Sequence, residues 1–243
     1  MKLVILTTET LHHAQFVRAL AGASLATGDA VVKCVVVERA APAAGFETRH
    51  AFEDRRDAHE SAVWFGGRTP GIAEFAETVN VDSANDGRCA EVIRATGAEM
   101  VVVFGTRKIQ PEVIGRCPEG LVNLHGGDPE RYRGLDSHLW AIYHGDFDGL
   151  VTTLHRVAPA LDTGDIVGQG PVPVRKGMGL HELRAANTEV CIRLTAEAIR
   201  QRRESGRLGA RPQRARGRYY SAMPAVLKEG CVTRFARYTD GLP

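Results

Sequence analysis

Asn123 and His125, two residues apart in LVNLHGGDPERYRG, are the pair best placed to do chemistry. On a strand, that spacing sends both side chains to one face. A strand-end Asn and His on the same side are costly unless paired or facing a cleft. Gly126 and Gly127 follow, and they let backbone approach a ligand closely. Downstream, ALDTGDIV sets Asp162 and Asp165 around Gly164, between two strand-like runs. An aspartate there could return to meet His125 from a neighbouring loop. The Asn amide can donate to a developing oxyanion. The His can donate a second hydrogen bond or carry a proton from amine to leaving group. A carboxylate beside it favours the charged imidazole and fixes its orientation. Such a set suits acyl transfer from an amide-like donor to an amine, with no covalent nucleophile. Spacing alone leaves a structural NxH and a plain Asp/Gly turn open.

Positioning these residues requires a sheet. Leu3–Leu6, Val31–Val37, Thr78–Val81, Met100–Phe104 and Gly120–Leu124 read as short buried strands. Helical patterns fall between them, at Leu11–Ala23, Arg88–Ala95 and Pro111–Arg116. The alternation predicts an α/β chain with an open, mostly parallel, Rossmann-like sheet and flanking helices. Ligands in such sheets sit outside the carboxyl ends of the strands. That rim includes Phe104, Gly105, Thr106 and Arg107, and His125 to Asp128. Asp136–His144 reads as a helix with Asp136 or Ser137 near its N-cap. GLVTTLHRV and DIVGQGPVPV read as strands, the second an edge because of Pro171 and Pro173. Leu180–Arg202 is the longest helix. Residues 38–76 read as short helices and loops.

Composition is ordinary for a soluble globular chain of 243 residues, 44% hydrophobic and 25% charged. A net charge of +2 points to neither nucleic acid nor membrane. The five cysteines are dispersed, with no CxxC pair, so neither disulfides nor a metal site is called for. Cys34 and Cys191 read as small core residues. The apolar start, Leu3–Leu6, is too short for a signal or spanning segment, and a cytoplasmic location is expected. The N-terminal half has no GxGxxG or GxxxxGK[ST].

NLHGGDPERYRG, then SHLWAIYHGD, then VTTLHRVAPALDTGDIV together resemble the formyltransferase fold family. Its members include glycinamide ribonucleotide transformylase, methionyl-tRNA formyltransferase and sugar-nucleotide amine N-formyltransferases. The strongest overlap covers roughly residues 98–170. The resemblance implies a catalytic trio of Asn123, His125 and Asp162, with Asp162 keeping His125 charged. It implies N10-formyltetrahydrofolate as co-substrate, with the pterin near Phe104–Arg107 and the Asp162 loop, and no metal. Gly126 and Gly127, with Asp128 and Pro129, depart from the family's more apolar loop at the folate site. Gly164 and Asp165 complete the Asp162 loop, Asp165 as a supporting or solvated residue. Residues 1–205 would be the catalytic domain. Residues 206–243 would be an appendage packing on the body or forming an interface.

The acceptor implied is a small-molecule amine, first an amino-deoxysugar nucleotide. An amino-acid or natural-product amine, a formyltetrahydrofolate hydrolase and a non-catalytic folate-binding module stay open. Thr8, Glu9 and His12, after the first strand, stand at the rim where acceptor is expected, as does His13. Arg131 and Tyr132 crowd the same mouth and would suit an acceptor phosphate or carboxylate. His138 faces substrate or caps its helix. His144 and His155 read as structural. Trp64 and Phe65 either stack on a ring or anchor an otherwise polar insertion. The Arg200–Arg218 run holds eight arginines and one acid, Glu204. It reads as a solvated helix end rather than a nucleic-acid site. The short remainder after the long helix argues against tRNA as acceptor. A homodimer is left open.

Overall fold

The computed structural model describes residues 1–28, 30–39 and 44–243, without the side chains of 24–27. Seven strands form the main sheet. They are β1 (Lys2–Thr8), β2 (Val31–Glu38), β3 (Thr78–Val81), β4 (Met100–Phe104), β5 (Leu121–His125), β7 (Val151–Arg156) and β8 (Ile166–Pro171). Their order is β3-β2-β1-β4-β5-β7-β8. The first five run parallel, while β7 and β8 add on antiparallel. β8 is the edge strand expected from its prolines. A separate parallel pair joins β6 (Tyr132–Gly134) to β9 (Arg218–Tyr220).

The alternation of side chains along the parallel strands feeds two apolar layers. Leu3, Ile5, Val102, Phe104 and Leu124 face α1 (Leu11–Thr27) and α6 (Leu183–Ser205). Val4, Leu6, Val101, Val103 and Leu121 face α3 (Gly87–Thr96) and the single turn α4 (Pro111–Ile114). Burying each such side chain contributes roughly 1.5–3 kcal/mol, which fixes the register and so where each strand ends. A third apolar cluster joins α5 (Ser137–Tyr143), the 3-10 turn Leu180–Glu182 and α7 (Ala225–Asp240) through Ile142, Leu180, Met223 and Phe235. All five cysteines are free and buried.

One expectation fails here. Instead of short helices and loops, residues 38–76 contain a fifteen-residue helix, α2 (Ala51–Phe65). It is closed by His50 and Glu53 in a reciprocal cap and by Gly66 in the left-handed region. Phe65 packs against the first apolar layer and stacks on Phe75, and Trp64 Nε1 donates to Glu189 at 3.2 Å. These aromatics anchor the insertion. The part of this stretch at 40–43 lies outside the described residues.

The strand order reverses between β1 and β4, and a crevice opens beyond their carboxyl ends. β5 ends at its edge, and the loops after β5 and β7 close over it.

Candidate active site

β5 delivers Asn123 and His125 to one side of the sheet, and β7 places His155 directly opposite Asn123. Asn123 Nδ2 lies 3.1 Å from His155 Nε2. The other nitrogen of that ring, Nδ1, lies 2.8 Å from the Arg156 carbonyl. A carbonyl only accepts, so Nδ1 of His155 carries the hydrogen and Nε2 accepts from the Asn123 amide. The amide's second N–H is left for the cleft.

His125 is held the other way round. Its Nε2 lies 2.8 Å from the Tyr132 carbonyl, so Nε2 is the donor. Its Nδ1 stands 3.7 Å from Asp162 Oδ2. Burial pushes the His125 pKa below its ordinary value, with His155 adding to this. Asp162, the Tyr132 carbonyl and Asp128 oppose without prevailing. The imidazole is therefore neutral, with an unprotonated Nδ1. The sequence reading had it charged; burial outweighs the neighbouring carboxylate.

Asp162 is 7% exposed and sits at φ 52°, a left-handed backbone position that Asp tolerates better than most residues. Burial disfavours its charge, but the imidazoles of His155 and His125, once protonated in acid, and the Gly134 N–H outweigh that and hold the carboxyl at about 2. The Gly134 N–H donates to Oδ2 at 2.8 Å, and His155 Nε2 lies 3.5 Å from Oδ1. The trio expected from sequence is thus brought together, and His155, read there as structural, is its fourth member. Only the antiparallel pairing of β7 on β5 sets it opposite Asn123, and periodicity does not reveal which strands are neighbours.

These residues line a cleft of about 640 Å³, together with Thr8, His12, His13, Phe104 to Arg107, Gly126 and His138. His13 is 3% exposed, and its Nδ1 donates to the Thr8 carbonyl at 2.8 Å. Its Nε2 is one of three buried side-chain atoms without a hydrogen-bond partner among the described residues. Burial drives the His13 pKa down to about 3, although the Thr8 contact opposes, so Nε2 is a fixed acceptor. A Cβ on Gly105 (φ +81°) would stand 2.6 Å from that nitrogen. The position admits only glycine, and it brings backbone against the imidazole. His138 donates from Nε2 to the Val151 carbonyl at 2.7 Å, and burial pushes its pKa to about 4, so it too is neutral. Burial likewise lowers His12.

Several expected contacts are not brought to the cleft. Glu9 turns away and accepts from the Ile72 N–H at 2.8 Å. Arg131 and the Tyr132 hydroxyl both engage Asp146, at 2.5 and 2.9 Å, outside the cleft. Tyr132 serves through its backbone carbonyl instead. Gly127, Gly164 and Asp165 shape loops without lining the cleft: a Cβ on Gly164 would stand 1.8 Å from the Arg156 carbonyl oxygen, and Asp165 pairs with Arg156 through backbone at 2.8 Å. Arg107 reaches the cleft wall, but its guanidinium is held by Glu38, Nε to Oε1 at 2.8 Å. Sequence reading missed Arg56 and Arg184, which line the cleft from α2 and α6. Arg184 is bidentate to the fully buried Glu60, at 2.6 and 2.7 Å, and Arg56 pairs with Glu53 at 3.2 Å. The absence of Gly and Pro from residues 46–65 was the available signal for the helix that carries Arg56.

Among the described residues, no helix is long and apolar enough to cross a membrane, and no group of three or more His, Cys, Asp or Glu is placed to hold a metal ion.

The formyl transferase family model matches residues 1–199. Methionyl-tRNA formyltransferase from Thermosynechococcus vestitus is 32% identical over 117 residues, 48% of this chain and 35% of that protein. The chain spans about a third of the length of the curated relatives it matches. Glycinamide ribonucleotide transformylase 1 from Symbiobacterium toebii shares the fold, with a TM-score of 0.61 at 21% identity, over 89% of this chain and 93% of that one. The formyltransferase PseJ from Anoxybacillus kamchatkensis, in complex with UDP-4,6-dideoxy-4-formamido-L-AltNAc and tetrahydrofolate, gives a TM-score of 0.52 at 16% identity, over 91% and 86%.

Proposed function

The chain belongs to the formyl transferase family, and from that premise we propose that it transfers a formyl group from N10-formyltetrahydrofolate to the primary amine of a small acceptor. The amino sugar of a sugar nucleotide is the acceptor class we place first, since PseJ carries such a product beside tetrahydrofolate. The observation that carries the reading is the convergence of Asn123, His125 and Asp162 on one wall of one cleft.

The cleft suits a folate. Its floor sets a glycine-only position, Gly105, over the buried imidazole of His13, so that backbone rather than a side chain faces the space a flat ring would fill. Phe104, Gly105 and Thr106 would hold the pterin. When bound, the folate supplies a formyl group activated on N10.

The protein's own part is proton handling and charge stabilisation. Asn123, anchored by His155, turns its free N–H towards the negative charge that builds on the formyl oxygen. His125 Nδ1, neutral and unpaired with any donor, takes a proton from the attacking amine. Asp162, ionised at 3.7 Å, stabilises the imidazolium that results. His125 then gives the proton up at the leaving nitrogen. A neutral base that becomes charged during the reaction gains more from Asp162 in the transition state than in the ground state, which is what acceleration requires.

The test is a mass-spectrometric screen with N10-formyltetrahydrofolate against amino-sugar nucleotides, amino acids, glycinamide ribonucleotide and methionyl-tRNA. One acceptor gaining a single formyl group supports the proposal. Formate release without amine, as fast as any transfer, would make the protein a hydrolase instead.

A further inference from the structure

We infer that residues 211–220, beyond the stretch matched by the family model, form a strap that sets the catalytic geometry, with Gln213 as the positioning residue for Asp162. The inference rests on the catalytic trio proposed above.

Gln213 Nε2 donates to two carbonyls of the Asp162 loop, that of Asp162 itself at 2.9 Å and that of Gly164 at 2.8 Å. Both N–H groups of one amide are thereby used on the turn whose first residue holds the left-handed backbone position. The loop is pinned at its far end as well. Arg211 exchanges backbone hydrogen bonds with Ile166, at 2.8 and 2.9 Å.

The same strap grips the loop after His125. Arg211 donates to both Glu130 oxygens, at 3.1 and 2.8 Å, and the Arg214 N–H also donates to Glu130. The Gly217 N–H donates to the Pro129 carbonyl at 3.1 Å. Arg218 and Tyr220 pair with Tyr132 and Gly134 across β6 and β9. Arg133 ties the three segments together, Nε to the Gly217 carbonyl at 2.7 Å and Nη1 to the Leu161 carbonyl at 3.1 Å.

Two of the gripped groups are the partners of the catalytic side chains. The Tyr132 carbonyl orients His125, and the Gly134 N–H orients Asp162. The strap therefore holds both halves of the His125–Asp162 pair. A shift of either loop by about 1 Å is enough to lose much of the rate. The arginine-rich run that reads from sequence as a solvated helix end is, from Arg211 onward, part of this clamp.

The test uses the full chain with Gln213→Met, which keeps length and removes both donors, and Gln213→Glu, which replaces the amide by an acceptor. Four experiments are run: steady-state kinetics for kcat and both KM values, the pH profile of kcat/KM, thermal unfolding, and the titration of the His125 ring by NMR. His125 is raised by Asp162 and Asp128 and lowered by burial and His155. Loosening Asp162 therefore moves the His125 titration, and the acid limb of kcat/KM, to lower pH. The expected result is a kcat lowered about tenfold, which corresponds to about 1.4 kcal/mol, with KM values unchanged and the titration displaced downwards in Gln213→Met; in Gln213→Glu kcat falls likewise, while the added carboxylate opposes that displacement. An unmoved titration in a folded Gln213→Met protein overturns the strap, whatever the activity. Should the wild type transfer no formyl group at all, the proposed function fails, and the NMR titration still decides the strap on its own.

Discussion

His125 Nδ1 faces Asp162 Oδ2 at 3.7 Å, while the opposite ring nitrogen is spent on the Tyr132 carbonyl at 2.8 Å. In the reaction proposed above, that arrangement makes Nδ1 the reactive nitrogen and leaves the carboxylate close enough to stabilise a proton arriving there.

The first consequence is a pH profile. The folded His125 has a pKa below its ordinary value of 6.5, so the base is already unprotonated at neutral pH. Activity is retained above pH 6.5 and lost only as pH falls through the lowered value. Asp162→Asn removes the main group raising that pKa, so the acid limb of kcat/KM moves to still lower pH. The same variant lowers kcat by about 10²-fold or more. A limb that moves upwards would contradict the assignment.

Asn123 and His155 act as a unit. Asn123→Ala is expected to lower kcat by about 10²–10³-fold with KM little changed, the cost of one oxyanion donor. His155→Leu leaves Asn123 in place but unanchored, and costs about tenfold. Steady-state kinetics of the two single variants and the double variant checks this. The double variant should be hardly worse than Asn123→Ala, since the second change then has nothing left to orient.

His13 bears on the donor side. His13→Leu removes the imidazole packed against Gly105 and so displaces that backbone, and is expected to raise KM for N10-formyltetrahydrofolate about tenfold while leaving the KM of the amine unchanged. A rise confined to the amine would move His13 to the acceptor's side of the cleft.

Asp162 also carries a stability signature. Its folded pKa of about 2 lies below the ordinary 3.8. The folded state therefore binds fewer protons than the unfolded one between those values. The resulting stabilisation, on the order of 2 kcal/mol, is fully present above the ordinary value and lost as pH falls through about 2. In urea titrations, the stability difference between wild type and Asp162→Asn should shrink as pH drops below about 4. A difference that stays constant would mean that Asp162 contributes no charge to the folded state.

What could be read from sequence follows from where the signal is local. The buried strands Met100–Phe104 and Leu121–His125 are continuous apolar runs, and their order of appearance carried the parallel sheet. Asn123 and His125 are visible because they sit at the end of such a run, whereas Asp162 is told apart from Asp165 in its loop only by the resemblance to the formyltransferase family. His155 was not visible, since its role depends on β7 lying against β5, a pairing between strands that the hydrophobic pattern leaves undetermined. The protonation of His125 was misread because burial is a tertiary quantity. Helix α2 was obscured by its charges, five of which are spent on partners within or beside the helix: Glu53, Asp54, Arg56, Asp57 and Glu60. Arg131 and Tyr132 look like a substrate-facing patch until Asp146 is seen to hold both.

The most direct test of the central claim is the amine-dependent release of tetrahydrofolate from N10-formyltetrahydrofolate, measured side by side for wild type and His125→Ala. The neutral-base account predicts release that requires the amine, yields formylated acceptor in equal amount, and falls by about 10²–10⁴-fold in the variant. Release that proceeds without amine, or that survives intact in His125→Ala, would contradict it.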